Sequence, residues 1–161
     1  MTDFKQRLEN AVERGRRTSN ARAQEAARQA LSEEECKRLH TRCRLELSEY
    51  IERCVEQLPQ HFPGFRFETI VGERGWGAGI SRDDFVSDGG RRTNSFSRLE
   101  VYVRPDSSLH VLELAAKGTI RNKEVFNRSH YELLHEADVA SFKELIDMWL
   151  LEYAELYAAK S

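Results

Sequence analysis

The stretch Gly72–Gly90, GERGWGAGISRDDFVSDGG, holds most of the chain's nine glycines and admits two readings with different folds. A phosphate-cradling loop would follow a strand and open a helix whose N-terminal amides receive the anion. A hairpin would instead set strands between glycine turns. The residues that follow decide. Residues 95–104, SFSRLEVYVR, alternate apolar and polar like a further strand, and the chain has no GxxxxGK[ST] run. Gly72 and Gly75 suit one turn, Gly89 and Gly90 another. Gly77 and Gly79 then share one face of a strand, where a missing side chain lets a bulge, another backbone or a ligand come close. The stretch reads as a hairpin.

Working outward, the same alternation marks five strands: FRFETIV (65–71), WGAGISRDDF (76–85), SFSRLEVYVR, LHVLELAAKGT (109–119) and EVFNRSHYEL (124–133). GERG, SDGGRR, PDSS and IRNK separate them as turns. Hairpin pairing of neighbours sets Phe67 opposite Ile80, Ile80 opposite Leu99, Val101 opposite Leu112, and Leu112 opposite Tyr131. One face then collects Phe65, Phe67, Val71, Trp76, Ile80, Leu99, Val101, Val103, Leu112, Leu114, Val125 and Tyr131. The other collects Arg66, Glu68, Ser81, Arg98, Glu100, Glu113, Lys117, Arg128 and His130, with Ile70, Phe96, Tyr102, Val111 and Phe126 as apolar exceptions. Because a slip of one residue inverts a strand's faces, this agreement points to an antiparallel meander.

Helical spacing flanks the strands. Cys36, Leu39, Cys43, Leu47, Tyr50, Ile51, Cys54 and Leu58 form one stripe. Ser32 and Glu35 stand at capping-box spacing and Pro59 closes the segment. Upstream, Phe4, Leu8, Ala11 and Val12 begin a weaker helix, which GRRTSN (15–20) interrupts and ARAQEAARQAL (21–31) resumes. At the other end Asp138 suits an N-cap. Phe142, Leu145, Ile146, Trp149, Leu150, Tyr153, Leu156 and Tyr157 then make a broad apolar stripe. The expected fold is α+β: N-terminal helices, a five-stranded antiparallel meander, and a C-terminal helix on its apolar face. Residues 1–31 are expected to form a helical arm that packs on a second subunit or lies along its own domain, and 32–161 a single α+β domain.

A net charge of −2 gives the molecule no large field for nucleic acid or anionic membrane. The charge is unevenly spread: residues 1–31 carry seven basic and four acidic side chains, residues 132–161 two basic and seven acidic. No apolar run approaches a membrane span and MTDFKQRLEN lacks the apolar core of a signal peptide. A cytoplasmic chain with three reduced cysteines is therefore expected. Cys36, His40 and Cys43 could face one metal from a single helix. No paired CxxC knuckle accompanies them, and they occupy the apolar stripe, so core packing is the better reading. No motif calls for a cofactor or metal.

Candidates for chemistry are few. In the expected register His130 lies opposite Glu113 on the polar face, flanked by Arg128 and Lys117, a pairing suited to acid–base work on a phosphodiester. Phe96, Tyr102 and Phe126 beside Arg98 and Arg128 suit stacking of single-stranded nucleic acid, although no RNP signature is present. In a meander alternate turns share an end, which gathers Arg91, Arg92, Arg121 and Lys123 as a candidate surface for an acidic or phosphate-bearing partner. The leading expectation is a non-catalytic binding or adaptor protein, as a homodimer or with a protein partner. The alternative is a nucleic-acid or phosphate-ligand binder, or a small hydrolase, working from the outer sheet face.

Overall fold

A computed structural model describes residues 3–160, and within them all side chains except those of 27–31, 85–88 and 91–93. The elements in chain order are α1 (Phe4–Val55), α2 (Leu58–His61), β1 (Arg66–Gly72), β2 (Gly75–Asp88), β3 (Arg91–Val103), β4 (Val111–Ile120), β5 (Lys123–Leu133) and α3 (Val139–Lys160). The strands form one antiparallel sheet in the order β1-β2-β3-β4-β5, the meander expected from their alternation. The chain divides into two compact units, Met1–Arg38 and Leu39–Ser161. Among the described residues no helix is long and apolar enough to cross a membrane.

α1 corrects the expectation of two helices. It runs unbroken through Gly15–Asn20 and through Ser32. One interior glycine costs a helix only about 1 kcal/mol. Across the expected break, Arg17 pairs with Glu13 at 2.9 Å and the Thr18 hydroxyl donates back to the Arg14 carbonyl at 3.0 Å. The capping box at Ser32 is likewise passed over, because the alanine-rich segment before it is itself a strong helix former.

In the unit Leu39–Ser161 a helical layer covers one face of the sheet. Leu47, Ile51 and Val55 of α1 and Phe142, Ile146, Tyr153 and Tyr157 of α3 are buried, as are Ile80, Leu99, Val101, Val103, Leu112 and Leu114 of the strands. The two helices are joined by Tyr50, whose hydroxyl donates to Asp147 at 2.6 Å, and by the Lys143–Glu46 pair at 3.1 Å. The Tyr153 hydroxyl donates to the Thr119 carbonyl at 2.9 Å, tying α3 to β4.

The registers separate what the pattern predicts from what it misses. Phe67↔Ile80 and Ile80↔Leu99 pair as expected. Phe67 and Val71 nevertheless stay exposed on β1, the edge strand. β3 and β4 pair Val101 with Ala116 rather than Leu112. The turn is longer than PDSS alone, but the slip is an even number of residues and every face is kept. Between β4 and β5 the ladder passes from Thr119↔Glu124 to Gly118↔Phe126 and leaves Val125 unpaired as a bulge. One extra residue reverses the strand beyond it. Phe126, Arg128 and His130 therefore turn to the helical side, and Tyr131, expected in the core, is exposed.

The β4–β5 turn is pinned to β3. Arg121 and Asn122 both have positive φ, 48° and 70°, as a two-residue hairpin of the I′ kind requires. The Asn122 amide donates to the Phe96 carbonyl at 2.8 Å, and its side chain accepts from the Phe96 amide at 2.9 Å and donates to the Asn94 carbonyl at 3.2 Å. Asn122→Ala should lower stability by about 1–3 kcal/mol, by losing both side-chain bonds and a tolerated positive φ. Asn122→Gly, which keeps the conformation, should lose less. Urea unfolding of the three proteins checks the order.

Candidate functional site

Three rows of residues cross the uncovered face of the sheet. Gly79, Glu100, Lys117 and Asn127 form one, and Gly77, Tyr102, Ala115 and Ser129 the next. Arg104 and Glu113 follow, joined by the Arg104 amide donating to the Glu113 carbonyl at 2.9 Å.

The two glycines make this surface possible. A Cβ at Gly77 would lie 2.0 Å from the Val101 carbonyl oxygen and 2.9 Å from Tyr102 Cβ, and one at Gly79 would lie 2.8 Å from the Leu99 carbonyl oxygen. What approaches closely is the backbone of β3, so β2 tolerates no side chain there. The Arg74 guanidinium stands 5.2 Å from the Tyr102 ring centre and 2.8 Å from the Glu100 carboxylate. Its hydrogen bond with Tyr102 and the charge of Glu100 raise its pKa above the usual arginine value. Glu100, only 5% exposed, is also 3.2 Å from Arg98, which pairs with Glu68 at 2.9 Å.

Beside this network lies a polar hollow of about 290 Å³, lined by Arg74, Tyr102, Arg104, Lys117, Asn127 and Ser129. Ala115 forms part of its lining and is 5% exposed although it is on the uncovered face. Arg128 also lines it, but its side chain turns to the helical side, where both terminal guanidinium nitrogens donate to Glu152 of α3, one contact being 2.9 Å. That bond lowers the Glu152 pKa and raises that of Arg128.

The acid–base pair expected on this face is not formed. Glu113 lies opposite Tyr131, and His130 opposite Leu114 on the helical side. The bulge at Val125 is the reason. Glu113 instead faces Arg104 at 3.4 Å. His130 packs edge-on to Phe142 with ring centres 5.3 Å apart, and its Nε2 bonds Glu132 at 3.0 Å. The Ser141 hydroxyl lies 3.1 Å from the same Glu132 oxygen and 2.8 Å from the Asp138 carbonyl. Burial works to raise the Glu132 pKa, but the bonds from His130, Ser141 and the Asp138 amide outweigh it and the carboxyl falls below its ordinary value. A serine and a histidine that both bond a central carboxylate leave the serine without a base. This cluster ties β5 to the start of α3. Phe126 is also on the helical side, 6.3 Å from Tyr153, which leaves Phe96 and Tyr102 of the expected stacking aromatics on the outer face.

Arg121 and Lys123 are exposed at the β4–β5 turn. The side chains of Arg91 and Arg92 lie outside the described residues. Their backbone is at the tip of the β2–β3 hairpin, which continues seven rungs past the last β3–β4 pair. Phe96, where the β4–β5 turn is bonded, is five steps along the strand from Arg91, or roughly 17 Å. The two turns share an end of the sheet but are staggered along it.

An apolar groove of about 660 Å³ lies between the end of α1, α2 and α3, lined by Cys54, Leu58, Phe62, Leu150, Leu151 and Ala154. Of the cysteines, Cys36 and Cys43 are buried and Cys54 half-buried. Burial pushes the Cys43 and Cys54 thiols up from their ordinary pKa. Among the described residues no group of three or more side chains could hold a metal ion.

His40 is 3% exposed, and its Nε2–H donates to the Arg104 carbonyl at 3.2 Å. Burial lowers its pKa. Below about pH 6.5 the unfolded chain takes up a proton more readily than the folded one, so stability should fall as pH drops through that value. His40→Gln keeps a donor for Arg104 and removes the titration. It should flatten the dependence of the unfolding midpoint between pH 7.5 and 5.5, and an unchanged slope would show that His40 is not its source.

Comparison with protein-family models, with curated proteins and with solved structures gave no match.

Proposed function

We propose that the protein is a non-catalytic binding or adaptor protein that works as a homodimer, paired through residues 4–26 of α1. One observation carries this reading: every side chain from Asp3 to Ala26 is exposed, including Phe4 at 75%, Leu8 at 51% and Val12 at 45%. A solitary helix gains little from propensity alone and depends on burying its apolar stripe.

The stripe favours a second copy running antiparallel. Phe4, Leu8, Val12, Gly15, Ser19, Ala23 and Ala26 follow steps of four, four and three, an eleven-residue repeat. They are bulky at one end and small at the other. With a two-fold axis at residue 17, Leu8 meets Ala26 and Gly15 meets Ser19. Leu8 then packs on a small residue and the small central pair lets the helices approach closely, whereas a parallel pair in register would set Leu8 against Leu8 and Gly15 against Gly15. The reading without catalysis draws on the separation of His130 from Glu113 and on a serine bonded to carboxylate rather than imidazole.

Light scattering across the micromolar range should give twice the chain mass. Leu8→Glu combined with Val12→Glu, at positions already exposed, should give a single-chain mass without loss of sheet signal in circular dichroism. A wild-type chain that stays monomeric throughout would refute the pairing.

A further inference from the structure

We infer that the polar hollow on the uncovered sheet face binds the phosphate group of a small ligand. This goes beyond the pairing through α1 and uses only residues of the unit Leu39–Ser161. The hollow follows from the row Gly77·Tyr102·Ala115·Ser129, which is small at three of its four positions. The rows on either side are walled by Lys117 and Arg104. The surface is thus recessed where the backbone leaves it bare, rather than merely charged.

The lining is chemically one-sided. It contains Arg74, Arg104 and Lys117 and no carboxylate. Arg74 and Arg104 each contact a glutamate outside the hollow but keep about half of their side chains exposed. Lys117 is exposed, and among the described residues it has no ion-pair partner. The Asn127 amide and Ser129 hydroxyl add neutral donors that no other side chain occupies. An ammonium, guanidinium edges, an amide and a hydroxyl converging on one recess suit a tetrahedral oxyanion with several acceptor oxygens. A volume of about 290 Å³ is at the lower end of the ~300–1,000 Å³ of small-molecule pockets. That favours a compact ligand over a nucleic-acid strand, which would have to compete with Arg74 for the Tyr102 ring.

The test is a titration of the full chain with inorganic pyrophosphate at constant ionic strength, followed by amide NMR. Saturable shifts confined to residues 115–117, 127–129 and 74 are expected, weakening as salt rises. Lys117→Gln, at an exposed position, should weaken binding about tenfold. Ala115→Leu should abolish it by filling the recess while leaving every charge in place. Arg121→Glu, outside the hollow, should leave it unchanged. Equal weakening by Arg121→Glu and Lys117→Gln would reduce the effect to diffuse surface charge and overturn the proposal. So would unsaturable shifts, or a single-stranded oligonucleotide that binds far more tightly than pyrophosphate and perturbs the whole face.

Discussion

Much of the unit Leu39–Ser161 depends on a single unpaired residue, Val125. Had the β4–β5 ladder run without it, Tyr131 would face α3, and Arg128 and His130 would face outward. With it, four consecutive inward positions of β5 meet α3: Phe126 against Tyr153, Arg128 on Glu152, His130 against Phe142, and Glu132 beside Ser141. The Arg128–Glu152 pair is about 40% exposed, so its net contribution is no more than about 1 kcal/mol. Its effect is on register. A helix that meets an aromatic, a cation and a carboxylate in sequence along one strand has only one axial position in which all are matched.

The same residue decides what is displayed on the other side. Asn127 and Ser129 join the outer rows only because Phe126 and Arg128 have left them. The bulge thus does two things: it supplies α3 with its partners and replaces bulky or charged residues beside Ala115 with short polar ones. The recess and the helix dock are two faces of one slip in the ladder.

Most of the sheet was legible because alternation has period two. An error of four residues between β3 and β4 left every face intact, while an error of one between β4 and β5 reversed a strand. Nothing in EVFNRSHYEL marks the break: Val125 is a good strand residue, and Phe126 and Tyr131 both suit a core. The signal lay elsewhere, in Glu132, Ser141 and Asp138, whose mutual bonding makes sense only if Glu132 faces the helix. In α1 the failure has a different source. Gly15, the rest of the GRRTSN segment and the box at Ser32 are all turn or capping signals, yet each residue in them costs a helix no more than about 1 kcal/mol. A run of alanine, arginine, glutamate and glutamine on both sides absorbs that.

Glu100 limits what the outer face can do. Burial of its carboxylate is tolerable only beside Arg74 and Arg98, and Gly79 opposite gives it room to lie against β2. Arg74 is thereby held over Tyr102, but part of its charge is already matched. An anion in the recess would share Arg74 with Glu100 and meet Lys117 as a cation with no ion-pair partner among the described residues. The outer face around the recess is therefore only weakly positive, with one surplus charge among Arg74, Arg98, Arg104 and Lys117 set against Glu68, Glu100 and Glu113. Such a balance resists non-specific polyanions, whose attraction grows with the number of unmatched cations. It still allows a compact phosphate, for which a few short charge-assisted bonds matter more than the field of the whole surface.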